Sequence, residues 1–162
     1  MEEQQNDNLQ TNQFVSFVLN GEEYGVPILS VQEIIRYETV TRVPQSPPFV
    51  DGVLNLRGQV IPVINLRRKF AMEEKEADRS TRIIVVEVND RVVGMVVDEV
   101  SEVLMVNDEN IAPPPPMGTS LKTDYIRGMG KIDENLIILL DIDKILSLEE
   151  QSATENVAAM AE

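Results

Sequence analysis

Few side chains in this chain are equipped for chemistry, and the missing ones narrow the field first. Its 162 residues include no His and no Cys. The commonest general base, the commonest metal ligand and the thiolate nucleophile are therefore all absent. Arg127-Gly128-Met129-Gly130-Lys131 invites a phosphate-loop reading. The Gly-x-x-x-x-Gly-Lys-Ser/Thr order is missing, however, and the string falls on a predicted strand, not ahead of a helix. Asp141/Asp143 and Asp108/Glu109 pair carboxylates as a calcium site does, but lack the twelve-residue loop with its central Gly and final Glu. Solvated turns explain them better. No catalytic constellation and no cofactor or metal site emerges, so the chain reads as a non-enzyme.

One position stands out through comparison of the chain with itself. Residues 17–35 match residues 86–104 at an offset of 69: Asn20 meets Asn89, Gly25 meets Gly94, Val31 meets Val100 and Glu33 meets Glu102. A second block matches Val50-Asp51-Gly52-Val53 and the strand Val60–Leu66 to Ile126-Arg127-Gly128-Met129 and Leu136–Ile142 at an offset of 76. The seven extra residues lie around Pro113–Pro116. A repeat this long means two similar folded units, not a short-period solenoid. The halves diverge at the last hairpin turn, where Asn55-Leu56-Arg57-Gly58 stands against Lys131-Ile132-Asp133-Glu134. By itself Arg57 reads either as a solvated hairpin arginine or as a partner contact, since Arg suits desolvated, multi-donor contacts. Its lack of a counterpart favours the contact.

The elements that must position these residues are strands. Val- and Ile-rich runs of period two predict strands near 14–20, 23–28, 32–38, 50–56 and 59–65, then near 82–89, 91–97, 100–106, 125–131 and 135–141. Asn20-Gly21, Asn89-Asp90, Gly58 and Asp133–Asn135 supply the hairpin turns. Five short antiparallel strands per half predict a small barrel, which limits exposed edges. Each half is only marginally stable alone, so the two barrels should share an apolar layer, with Val93–Val97 as its candidate. Asp141–Glu150 carries Ile142, Ile145, Leu146 and Glu149 at helical spacing and predicts a short docked C-terminal helix.

The expected organisation is a disordered acidic tail over 1–13, a folded region over 14–148 and a second acidic tail over 149–162. Within the fold, 14–66 is the first repeat, 67–81 a solvated connector that opens with a helical turn, and 82–148 the second repeat. The net charge is −14; the tails hold −3 and −4, which leaves −7 for residues 14–148. That excess opposes binding to nucleic acid, which needs a basic stripe. No window approaches a membrane span and no leader opens the chain, so a soluble cytoplasmic protein without direct membrane insertion is expected.

Two further signals have bland alternatives. Glu33 and Glu102 are duplicated, which favours a structural role such as turn capping or pairing with Arg36 or Arg42; a partner contact stays open. The Pro113–Pro116 run is extended and lacks backbone donors. A rigid spacer between the repeats explains it better than a ligand for a proline-reading domain.

Several strings in one order carry a resemblance. They are Glu22-Glu23-Tyr24-Gly25-Val26, Val31-Gln32-Glu33-Ile34, Thr41-Arg42-Val43-Pro44, Gly52-Val53-Leu54-Asn55-Leu56-Arg57-Gly58 and Arg91-Val92-Val93-Gly94-Met95-Val96-Val97-Asp98. Over nearly all of 14–148 the chain resembles the CheW-like family of bacterial chemotaxis coupling proteins. The resemblance implies an all-β fold of two packed SH3-like five-stranded barrels and no enzymatic activity. It implies a scaffold that couples the cytoplasmic tips of chemoreceptors to the regulatory SH3-like domain of the histidine kinase CheA, within membrane-associated receptor arrays. Carried over by motif, the receptor-contacting surface falls on a groove between the barrels, at Ile28, Val31, Glu33, Arg57 and Gly58, with Gly52, Gly94 and Val103 in support. A second kinase contact falls near Ala112 and Met117, where this chain departs from relatives with a basic or aromatic residue. A different class of reading is a stand-alone small-molecule sensor with the groove as its pocket. An RNA-binding barrel is disfavoured by acidity and by a chain with four Phe, three Tyr and no Trp.

Overall fold

The computed structural model describes residues 12–113, 125–146, 150, 153, 154, 156 and 157. The strands are β1 (Gln13–Leu19), β2 (Glu22–Pro27), β3 (Val31–Arg36), β4 (Val50–Leu56), β5 (Gln59–Asn65), β6 (Arg82–Val88), β7 (Arg91–Val97), β8 (Glu99–Met105), β9 (Ile111–Ala112), β10 (Ile126–Ile132) and β11 (Asn135–Leu140). One short helix, α1 (Leu66–Lys69), follows β5. All ten expected strands are present within two residues of their predicted ends, and the two-residue β9 is added.

The strands form two SH3-like barrels, and the sequence repeats are interleaved between them. Barrel one has the order β8-β1-β2-β11-β10-β9, and barrel two the order β3-β6-β7-β5-β4. Each barrel thus takes a hairpin from one repeat and the rest of its strands from the other. The two orders coincide once each strand is replaced by its repeat partner. The registers agree as well. Gly25 lies opposite Leu139 in the parallel pairing of β2 and β11, and Gly94 lies opposite Val63 in that of β7 and β5. The pairing of Ala112 with Met129 is matched by an isolated bridge between Thr41 and Val53. At both places a glycine makes the approach possible: a Cβ on Gly52 would sit 2.2 Å from the Thr41 carbonyl oxygen, and one on Gly128 2.8 Å from that of Ala112.

Burial follows the same symmetry. Barrel one has a small core of Phe14, Val106, Ile137 and Leu139; barrel two has Leu54, Ile61, Val63, Ile83 and Val85. A larger layer joins them, built from Val15, Phe17, Leu19, Tyr24, Ile84, Val86, Met95 and their neighbours. Strand alternation makes this possible, since successive side chains point to opposite faces. In β7, Val93, Met95 and Val97 enter the shared layer, while Val92 and Val96 face the core of barrel two. An aromatic stack seals the join: Phe17, Tyr24, Phe70 and Tyr125 lie at successive centroid distances of 5.7, 6.1 and 4.8 Å. Burial pushes the Tyr24 hydroxyl up to about 12, so it stays neutral there.

Two expectations need correction at the C-terminal end. Ile142, Ile145 and Leu146 are buried as the helical spacing requires, but Ile142–Lys144 is a 3-10 turn. Residues 147–149 lie outside the described residues, as do 1–11 of the expected acidic N-terminal tail. Within the segment expected as a disordered tail, residues 150, 153, 154, 156 and 157 are helical, and Thr154 and Val157 are buried. The charge of 149–162 suggests a tail, but among its described residues Val157 joins the shared core.

Candidate protein-binding site

Four two-residue turns join the antiparallel hairpins, and their first residues share one backbone region. Asn20, Arg57, Asn89 and Asp133 have φ of +55, +52, +48 and +55°. Tight hairpins favour this left-handed geometry because its twist matches that of the strands. Asn and Asp tolerate it; a long side chain does not gain the same local hydrogen bonds. Arg57 is thus the one poorly suited residue of the four. Gly58 follows at φ +86°, and its N–H donates to Asn55 Oδ1 at 2.9 Å. The turn is fixed by those neighbours, so its arginine is spare for other work.

The guanidinium projects from the barrel, with 73% of the side chain exposed, and its Nη2 donates to Glu33 Oε2. Glu33 sits at an irregularity in β3, where the register against β6 slips between Val31 and Glu33. Such a bulge re-aims side chains. The expected Glu33 partners, Arg36 and Arg42, are replaced by this contact from a distant turn. In barrel one the equivalent positions are Glu102 and Asp133, two carboxylates that cannot pair. Glu102 instead donates its backbone N–H to Ser16 Oγ at 3.2 Å. A duplicated glutamate is therefore neutralised in one barrel only.

The other expected residues divide by location. Ile28 and Val31, half-buried, pack on the shared core at the crossover from β2 to β3. Gly52 and Gly94 are buried within barrel two; a Cβ on Gly94 would lie 2.8 Å from Ile83 Cγ2, so both act from inside. Val103 is exposed on β8 in barrel one, where its strand partner is Val15. Ala112 is exposed on β9, paired with Met129, and Met117 lies outside the described residues. Glu33, Arg57 and Gly58 thus come together on barrel two, beside the crossover that carries Ile28 and Val31.

Leu29 was missed from the sequence. It lies in the 3-10 turn Ile28–Ser30 and is 65% exposed, more than Ile34, Val103, Met105 or Leu136, the other exposed large apolar side chains among the described residues. The signal was present: the offset of 69 sets Leu29 against Asp98, an apolar residue against a charged one.

Comparison with known proteins decides the family. The CheW-like domain family matches residues 13–150. The chain belongs to the CheW-like family. It is 47% identical to the chemotaxis protein CheW of Klebsiella aerogenes over 146 residues, covering 90% of this chain and 88% of that one. It is 37% identical to the chemotaxis protein CheW of Helicobacter pylori over 142 residues, covering 88% and 86%. The crystal structure of the scaffolding protein CheW from Thermoanaerobacter tengcongensis superposes with a TM-score of 0.79 at 34% identity, covering 86% of this chain and 95% of that one. CheW-like proteins are non-catalytic scaffolds, and this member is an adaptor of chemotaxis signalling, not an enzyme. Among the described residues no helix is long and apolar enough to cross a membrane.

Proposed function

We propose that the chain couples the cytoplasmic tips of chemoreceptors to the histidine kinase CheA, at membrane-associated receptor arrays. The receptor tip docks on the crossover Ile28–Val31 and the Glu33–Arg57–Gly58 corner of barrel two. Leu29 supplies the exposed apolar anchor, and the ion pair forms a polar rim that orients the helix. A similar barrel of the kinase binds elsewhere, with Ala112 and Met117 at its second contact. Receptor state then alters the relative free energies of the kinase's arrangements, which requires only differential contact and no chemistry in the adaptor.

The observation that carries this reading is Arg57 itself. It holds a backbone conformation that Asn or Asp fills at the three matched turns, and it carries a charge of opposite sign to Asp133. Sites that break a local rule without stabilising the fold are commonly functional. The small-molecule reading has less support. The apolar cleft lined by Gln59, Val60, Pro62, Val92, Val93 and Leu146 holds about 230 Å³. A roomier one of about 400 Å³ is lined mainly by polar and charged side chains such as Arg42, Asp51, Arg68 and Glu74, whereas ordinary ligand pockets of roughly 300–1,000 Å³ are mostly apolar.

The test compares matched turns. Arg57→Ala should weaken receptor-tip binding by about 1–3 kcal/mol, roughly 5- to 150-fold. It should change the melting temperature little and leave kinase binding intact. Asp133→Ala should do neither. Equal losses of receptor affinity in both variants, or an Arg57 loss that tracks a collapsed melting temperature, would make the arginine merely structural.

A further inference from the structure

The chain passes between the barrels at two repeat-equivalent crossovers, and they are built differently. From β2 to β3 it runs through Ile28–Ser30, with Leu29 exposed. From β7 to β8 it runs through the single residue Asp98. There the backbone N–H of Asp98 donates to Val18 O at 3.1 Å, and its Oδ2 accepts from the Asn20 N–H at 2.9 Å. Both tie the crossover to the β1–β2 hairpin of barrel one. From the other side, Arg67 of α1, directly after β5 of barrel two, donates Nε to Oδ1 at 2.9 Å and Nη2 to Oδ2 at 2.6 Å. Its remaining Nη1 donates to the Glu73 carbonyl at 2.7 Å. The two side chains are only 11% and 14% exposed.

The repeat shows that this arrangement is an addition. At the matched places Asp98 becomes Leu29 and Arg67 becomes Asp143. Asp143 Oδ1 accepts from the Asn89 N–H at 3.1 Å, so there a single carboxylate after β11 of barrel one meets the β6–β7 turn of barrel two, with no guanidinium between them. Both members of the pair are changed together. The shared apolar layer already holds the barrels in contact, but hydrophobic burial is non-directional. A bidentate, largely buried guanidinium–carboxylate pair adds direction, which is the best-supported use of such pairs.

We propose that Arg67 and Asp98 are positioning residues that fix the angle between the two barrels, and through it the geometry of the partner surface at Leu29, Glu33 and Arg57. The functional half of this proposal rests on the receptor-docking reading; the geometric half does not. The native chain has no Cys, so a spin label can be placed on each barrel through Glu87→Cys and Asp133→Cys, both exposed positions, with no competing thiol.

Pulsed electron resonance should give one narrow distance distribution in that labelled parent. Arg67→Met should broaden it. Removing one partner of a buried pair can also unfold a protein, so the deciding variant is Arg67→Met/Asp98→Leu. Replacing both partners with apolar groups of similar size is often close to neutral for stability. That double variant should melt cooperatively, show the broadened distribution and bind receptor tips roughly 2- to 30-fold more weakly. A distribution as narrow as the parent's overturns the proposal. So does a broadened distribution with unchanged receptor affinity, or a double variant that fails to fold, since the pair would then serve folding and not angle. Absence of receptor binding by the parent itself would instead overturn the docking reading, and the distance measurement would still stand.

Discussion

At the β4–β5 turn the local and global demands on one residue conflict. A non-glycine residue in the left-handed region costs on the order of 1–2 kcal/mol, and an exposed ion pair returns about 0–1 kcal/mol. Arg57 therefore contributes little net stability despite its contact with Glu33. Arg57→Gly removes the steric cost while adding chain entropy to the unfolded state, so the terms nearly cancel. Its stability in denaturant should lie within about 1 kcal/mol of the parent while receptor affinity falls. A larger stability loss would show that the pair holds the fold. Asp98 behaves oppositely. The hydrogen bonds from Arg67 are the main cause that holds its carboxyl below the ordinary value of 3.8, reinforced by the Asn20 N–H and the charges of Arg67 and Lys75. A lowered folded-state pKa gives a stability contribution fully present above the unfolded value and lost as pH falls through the folded one. Melting temperatures taken downward from pH 6 should hold steady to about pH 4 on this account and then fall, more steeply in the parent than in Asp98→Asn. Equal acid slopes would remove Asp98 from the linkage.

At the scale of elements, the strands were legible because β-structure writes its burial into every second residue. β7 reads Val93, Met95, Val97 on one face and Val92, Val96 on the other, and both faces proved apolar because one enters the shared layer and the other a barrel core. The turns were legible from Asn20-Gly21 and Asn89-Asp90. Partner choice was not. An offset of 69 reveals that β1 resembles β6, but not that β1 pairs with β8 from the other repeat. Local pattern fixes which face is buried and leaves open which neighbour is found, since equivalent strands carry nearly equivalent apolar sets. The Glu33–Arg57 contact was hidden for the same reason, since it depends on how β3 curls past a turn 24 positions away. The C-terminal helical residues were hidden by composition: acidic surroundings masked the buried Val157. The interleaving has a direct consequence. Fragments 12–73 and 74–162 each hold strands of both barrels and a complete set for neither. Each alone should lack a cooperative melt, and mixing them should restore one. Independent cooperative melting of either fragment would contradict the exchanged topology.

For the whole molecule, duplication followed by local editing accounts for the division of labour. The shared strand order, matched registers and paired glycines preserve one scaffold twice. The departures gather at the two crossovers and one turn: Leu29 against Asp98, Arg67 against Asp143, Arg57 against Asp133. Editing exposed or semi-exposed positions leaves the three apolar cores untouched, so two faces can diverge on one stable frame. Such a frame suits an adaptor, which must hold different partners at a set separation. The most direct test is co-sedimentation with receptor-containing membranes, with and without CheA. The chain should pellet with receptor membranes in the absence of kinase, and the kinase should pellet efficiently only when the chain is added. Arg57→Ala should reduce both. A chain that stays in the supernatant, or a kinase that pellets equally well without it, would contradict the coupling role.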